Sequence, residues 1–220
     1  MHELVEHDIR VLWDYMLLHQ TAGKADCLVM LGGYDDRAAV YAAELTKQFH
    51  YWDVMICNGV ANDSLLAASR TGATETEHAL AAMQRTGFTN QAIPETKAQN
   101  IKEGVKLSFD LLRSQNKPMP LSLLVVTMPY MERWVSMLFQ VEWPDRDTVI
   151  MVSSPHIGLD ECITNDQTHE EIISTLVGNM RKIITLLTSS GQSEQALTVD
   201  VRAAYDRLIA AGYTKYLVNI

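Results

Sequence analysis

No uninterrupted apolar segment in this 220-residue chain reaches the roughly 18 residues that a membrane-crossing helix needs. The first ten residues, MHELVEHDIR, are charged where a signal peptide would be apolar, so no membrane partner and a cytoplasmic location are expected. Positive charge is also scarce. With 18 Lys and Arg against 27 Asp and Glu, the formal net charge is −9, which would repel nucleic-acid phosphates. No local basic stripe offsets it, so no nucleic-acid partner is expected; a small anionic ligand, by contrast, needs only one arginine. Cysteines number three, Cys27, Cys57 and Cys162. The count is odd and the spacing is not that of metal ligands, which argues for no metal site, and the first two lie in apparent strands and read as reduced core residues. Also missing are the G-x-G-x-x-G and P-loop phosphate motifs, and any internal repeat.

What is present is a globular composition, 47% apolar and 20% charged, and a regular alternation of two periods. Strand-like runs at Cys27 to Leu31, Asp53 to Cys57, Gln91 to Ile93, Ser122 to Thr127 and Thr148 to Val152 are predicted. Between them lie helical patterns at Arg37 to His50, Glu75 to Arg85, Gln99 to Gln115 and Tyr130 to Val141. Continuous apolar strands interleaved with amphipathic helices indicate a parallel sheet covered on both faces. The predicted fold is therefore α/β: a Rossmann-like three-layer sandwich with a mostly parallel five-stranded sheet. An amphipathic stripe from Glu3 to His19 predicts an N-terminal helix packing on this body, in a segment 1–22. The α/β domain is assigned to 23–157, and a helical extension to 158–220, with helices at Thr168 to Ser189 and Thr198 to Ala211.

Ligands of open α/β sheets bind outside the carboxyl ends of the strands. The first strand ends at Gly32-Gly33, whose backbone N–H groups, ahead of the helix start at Asp36-Arg37, either cradle an anion or form a plain tight turn. Arg37 is suited to bidentate pairing with phosphate or carboxylate. The second strand ends at Asn58-Gly59, a turn signal, followed by a polar loop, 60–72. Thr74-x-x-Glu77 matches a capping box, and the Glu77 carboxylate could equally hold a ribose hydroxyl, an amino group or a metal. The fourth strand closes at Thr127 and leads into Pro129, Tyr130 and Arg133; the last two lie three apart and share a helix face, which would make Arg133 a second cation near the glycines. His156, after the fifth strand, has no evident nucleophile partner.

The order and spacing of these motifs resemble the YdcF-like family, a bacterial domain of unknown function that also includes SanA-like envelope proteins. The resemblance covers about Ala25 to Pro155 and rests on Leu31-Gly32-Gly33, Arg37, Asn58-Gly59 and Glu77, then Glu95, Ala98, Asn100 and Glu103, then Val126-Thr127, Pro129-Tyr130 and Arg133. The chain departs from the family pattern at Ile101, Gly104 and Met131, the last replacing a histidine common in relatives. The P-Y-M-E-R form and the absence of an anchor make it more similar to the soluble branch. The resemblance implies a nucleotide-type α/β domain whose ligand is S-adenosylmethionine or a similar nucleotide, with Asn100 among the ligand contacts.

Three functional readings follow. The first is an enzyme acting on an anionic or nucleotide-like small molecule, held by the glycines and two arginines, with Glu77 or Asn100 on its polar part; no catalytic residue is assigned. The second is a non-catalytic ligand-binding or sensor protein. The third is a phosphatase-like or phosphoryl-transfer enzyme using Asp35-Asp36 as metal ligands, although adjacent residues diverge on a helix and capping explains both. An oligomer is compatible with all three.

Overall fold

The computed structural model describes residues 2–31, 35–57, 75–164, 168–189 and 197–217. Gly32, Gly33, Asn58, Gly59, loop 60–72 and Thr74 lie outside the described residues. Contacts divide the chain into two compact units, one built on residues 19–128 and 138–155, the other on 1–18, 129–137 and 156–220.

The first unit is the sheet unit. Strands β1 (Cys27–Leu31), β2 (Asp53–Cys57), β3 (Ala92–Pro94), β4 (Ser122–Val126) and β5 (Val149–Ser153) form one sheet in the order β3-β2-β1-β4-β5, every pairing parallel. Among the described strands the sheet is parallel throughout, which bears out the expected Rossmann-like parallel sheet. All five residues of β1, and the last four of β2 and β4, are buried, which explains why these strands are unbroken apolar runs. The crossovers are α2 (Asp36–Gln48), α3 (Glu75–Arg85), α4 (Ile101–Arg113) and α5 (Glu132–Glu142). Right-handed crossovers put α2 and α3 on one face and, because the direction of travel reverses after β3, the later helices on the other. This is a Rossmann-like arrangement. Phe109 of α4 meets the Trp143 ring edge-on at 5.2 Å, and the Trp143 indole N–H donates to Thr148 Oγ1 at 3.1 Å, so this large aromatic is buried without losing its polar partner.

Two polar devices organise the sheet. At the amino ends, Oδ2 of Asp26 accepts the backbone N–H groups of Leu121 (2.9 Å) and Ser122 (3.1 Å) and lies 3.1 Å from the Ser122 hydroxyl, while the Asp26 carbonyl accepts the Trp52 N–H at 2.7 Å. One residue thus ties the starts of β1, β2 and β4. At the outer edges, β3 has only three residues and ends in a proline, and the Val152 N–H of β5 donates to Oε1 of Gln20 at 2.9 Å.

The helical unit contains α1 (His2–Met16), a short α6 (Leu159–Cys162), α7 (His169–Ser189) and α8 (Val199–Ala210). Helix α1 packs against α8 and α7 through buried Ile9, Leu12 and Met16, and Asp8, 1% exposed, receives a bidentate pair from Arg207 at 2.6 and 2.8 Å. The N-terminal helix and the C-terminal extension, read separately from the sequence, fall in one unit.

Replacing Asp26 with alanine removes up to three accepted hydrogen bonds and is expected to cost about 3 kcal/mol in urea unfolding, with Asp26→Asn milder because one carbonyl acceptor remains. A cost for Asp26→Ala no larger than that of an ordinary surface substitution would refute the tie. Stability also has an alkaline limit. The thiols of Cys27 and Cys57 are pushed up to about 12, first of all by burial. In the unfolded chain they ionise near 9, so the unfolded state sheds protons that the folded state keeps, and stability falls as pH rises from 9 towards 12. The expected slope is about 1.4 kcal/mol per pH unit for each thiol. Unfolding free energies measured on both sides of pH ~9 check this, and a flat profile contradicts it.

Candidate functional site

In a parallel sheet all carboxyl ends open on the same side, and the order β3-β2-β1-β4-β5 reverses between β1 and β4. The ladder between those strands stops at Met30 and Val126, whereas β1 continues one residue further beside β2, at Leu31 and Cys57. Such a reversal is where α/β sheets bind ligands. Thr127 follows β4 directly, 2% exposed, and its N–H donates to the Ser153 carbonyl at 3.1 Å. The Tyr41 hydroxyl from α2 lies 3.0 Å from Ser153 Oγ. Buried hydroxyls therefore line this end of β4 and β5.

A second polar group lies at the carboxyl ends of β2 and β3. The Glu95 N–H donates to the Ile56 carbonyl at 2.9 Å, which continues the ladder one residue past Pro94 and sets Glu95 beside Cys57. Its Oε1 accepts the N–H groups of Lys97 (2.6 Å) and Ala98 (3.0 Å), so the chain folds back over the side chain and leaves it 3% exposed. In the first turn of α3, Thr76 donates its hydroxyl to the Glu95 carbonyl at 2.9 Å, and Glu75 before it is also buried. Ser108, from α4, is fully buried near the same thiol. Burial raises the Cys57 pKa first, the Glu95 and Glu75 carboxylates push the same way, and Ser108 opposes them. That thiol carries a proton at neutral pH and is a packing group, not a nucleophile. Among the described residues, no hydrogen bond reaches Oε2 of Glu95 or, within normal geometry, Oγ of Ser108.

The residues expected from the sequence are placed as follows. Arg37 is held by Asp35, the N-cap of α2, whose oxygens accept from Nε at 2.9 and 3.2 Å and from Nη2 at 2.5 Å. Its guanidinium reaches any anion already paired. Asp36 binds Nε2 of His78 at 2.7 Å and Nη2 of Arg85 at 2.6 Å. Both members of the Asp35-Asp36 pair are thus engaged by protein cations, and among the described residues no group of three or more His, Cys, Asp or Glu is arranged to hold a metal. Glu77 is on the exposed side of α3; the buried carboxylate of that turn is Glu75. Asn100 caps α4, its side chain accepting the Glu103 N–H at 2.9 Å. Pro129 and Tyr130 form a buried 3-10 turn in the helical unit, where Asn179 donates to the Tyr130 carbonyl at 2.8 Å. Arg133, also there, donates from Nε to the Tyr15 carbonyl and stacks 4.3 Å above the Tyr15 ring. Its guanidinium serves to bind α1.

Glu75, Glu95 and Ser108 were not singled out as ligand residues by sequence reading, although one signal existed. Extending the buried stripe Ala79, Ala82 and Met83 back by one turn arrives at Glu75 and Thr76. A groove of about 360 Å³ beside α8, lined by Leu197, Thr198, Arg202 and Asp206, holds no comparable group of buried polar atoms.

Ser108→Ala removes a buried hydroxyl whose neighbouring polar group is the weakly bonding Cys57 thiol, so it is expected to change stability by no more than about 1 kcal/mol. Glu95→Ala loses two accepted backbone bonds and is expected to cost about 2 kcal/mol. Urea unfolding of both variants checks the pair, and a clearly destabilised Ser108→Ala would show that the hydroxyl is satisfied. In comparison with known proteins, the chain matches no protein-family model and no curated protein.

Proposed function

We propose that this chain is a soluble, cytoplasmic, YdcF-like protein of bacterial type that binds an anionic or nucleotide-like small molecule at the carboxyl ends of its sheet, S-adenosylmethionine or another nucleotide being the candidates. The observation that carries the reading is the reversal of strand order between β1 and β4, with buried hydroxyls at Thr127 and Ser153 on one side and the N-terminus of α2 on the other. The sequence adds Gly32-Gly33 at the end of β1, a pair without side chains to obstruct a ligand. Arg37, in the first turn of α2, supplies a cation that Asp35 holds in a fixed orientation. Among the described residues no helix is long and apolar enough to cross a membrane, and all three cysteines are free and buried, in keeping with a reducing compartment.

A binding or sensor role without catalysis is the second reading, favoured by one observation. Among the described residues at the site, the thiol of Cys57 is pushed up to about 12 and so offers no thiolate to a substrate.

Thermal-shift measurements with S-adenosylmethionine, S-adenosylhomocysteine, adenine and guanine nucleotides and sugar phosphates test the proposal, because a ligand specific for the folded state raises stability by about 2.7 kcal/mol at a hundred times its Kd. An adenosine compound is expected to give a saturable shift that shrinks in Arg37→Ala. No shift from any compound, or a shift undiminished in the variant, refutes this site.

A further inference from the structure

We infer that Glu95 is the carboxylate that receives a cationic donor, an ammonium group, of the bound small molecule, with Ser108 as a neighbouring hydroxyl contact. The inference rests on the ligand reading above and names which chemical feature of the ligand the β2–β3 end selects.

The two oxygens of Glu95 have different fates. Oε1 is saturated by the N–H groups of Lys97 and Ala98, bonds that fix the carboxylate plane. Oε2 has no partner among the described residues, although the side chain is 3% exposed. A buried acceptor left without a donor costs free energy, and a buried charge left uncompensated costs more. Ser108 Oγ, fully buried near the same Cys57 thiol, makes no hydrogen bond of normal geometry among the described residues. With Glu75 also buried there, the local charge is negative on both carboxylates when they are ionised.

A ligand hydroxyl would supply a donor to Oε2 without balancing that charge. An ammonium supplies donors and charge together, and its three N–H groups suit one carboxylate oxygen plus a hydroxyl oxygen. Arg37 at α2 and Glu95 beyond β3 then give the carboxyl face of the sheet opposite preferences at two places: anion at one, cation at the other. The ammonium of an amino-acid group attached to a nucleoside supplies the cation that Glu95 selects.

Calorimetric titration of wild type and Glu95→Gln with S-adenosylhomocysteine and with 5′-methylthioadenosine, which lacks the amino-acid group, reads the inference directly. Glutamine keeps a carbonyl for the Lys97 and Ala98 N–H groups while removing the charge. Wild type is expected to bind S-adenosylhomocysteine at least about tenfold more tightly than methylthioadenosine, a difference of about 1.4 kcal/mol. In Glu95→Gln the preference is expected to collapse towards unity through loss of S-adenosylhomocysteine affinity alone. Should Glu95→Gln fail to unfold cooperatively, Ser108→Ala carries the test, with a several-fold loss confined to the same ligand. Equal binding of the two ligands by wild type, or an unchanged preference in the variants, overturns the assignment while leaving the ligand reading intact. Binding of neither compound to wild type overturns both.

Discussion

The carboxylate of Asp26 is the constraint on which the sheet unit depends. Parallel strands have no hairpin to set their register, and each must be brought in by a crossover through a helix. Asp26 supplies locally what a hairpin would have supplied. Its Oδ2 takes the N–H groups of Leu121 and Ser122, and its carbonyl takes that of Trp52, so β1 and β2 start level and β4 one residue before them. A slip of one residue would turn every side chain to the opposite face. With the amino ends fixed and the strands of equal length, the carboxyl ends finish level too, except where β1 outruns its ladder to β4 by one residue.

That fixed frame explains how polar groups come to be buried at the other end. Thr127 follows, and Ser153 closes, a strand whose last residues lie in the apolar core, whereas Glu95 follows the half-buried edge strand β3. Thr127 and Ser153 inherit burial from their strands without sharing their chemistry, and Glu95 is covered by the chain folding back at Lys97 and Ala98. Hydrogen bonds compensate most of them, as with the Thr127 N–H and the Glu95 Oε1. Among the described residues, Oε2 of Glu95 and the hydroxyl of Ser108 have no hydrogen bond of normal geometry.

The sequence disclosed the frame better than the site. Strands β1 and β2 are legible to the residue because Cys27 to Leu31 and Asp53 to Cys57 are apolar runs with polar or glycine boundaries. The edge strand β3 lies one residue later than Gln91 to Ile93, its three residues being too few to show a period. Pro129 to Met131 form a 3-10 turn where a helix was expected to be under way. At the site, a single sequence cannot show whether a charged side chain faces inward. Glu77 and Glu75 are equivalent as letters, and only the α3 stripe through Ala79 and Ala82 distinguishes them. Glu95 is harder still, since its burial comes from the chain folding back at Lys97 and Ala98, a local turn with no periodic signature. The arginines illustrate the converse: Arg37 and Arg133 were conspicuous as cations, yet the carboxylate holding one and the carbonyl and aromatic ring holding the other are assigned by packing alone.

The treatment of the sheet margins has a consequence for the protein in a crowded solution. A strand whose outward N–H and C=O groups are open is a template on which another chain can lay itself down. Here β3 has three residues and closes with Pro94, too short and too poor in donors to hold an incoming strand, while on the far margin Gln20 already occupies the Val152 N–H of β5. Gln20 therefore acts as a molecular stopper. It leaves one fewer open donor on that margin for an incoming strand.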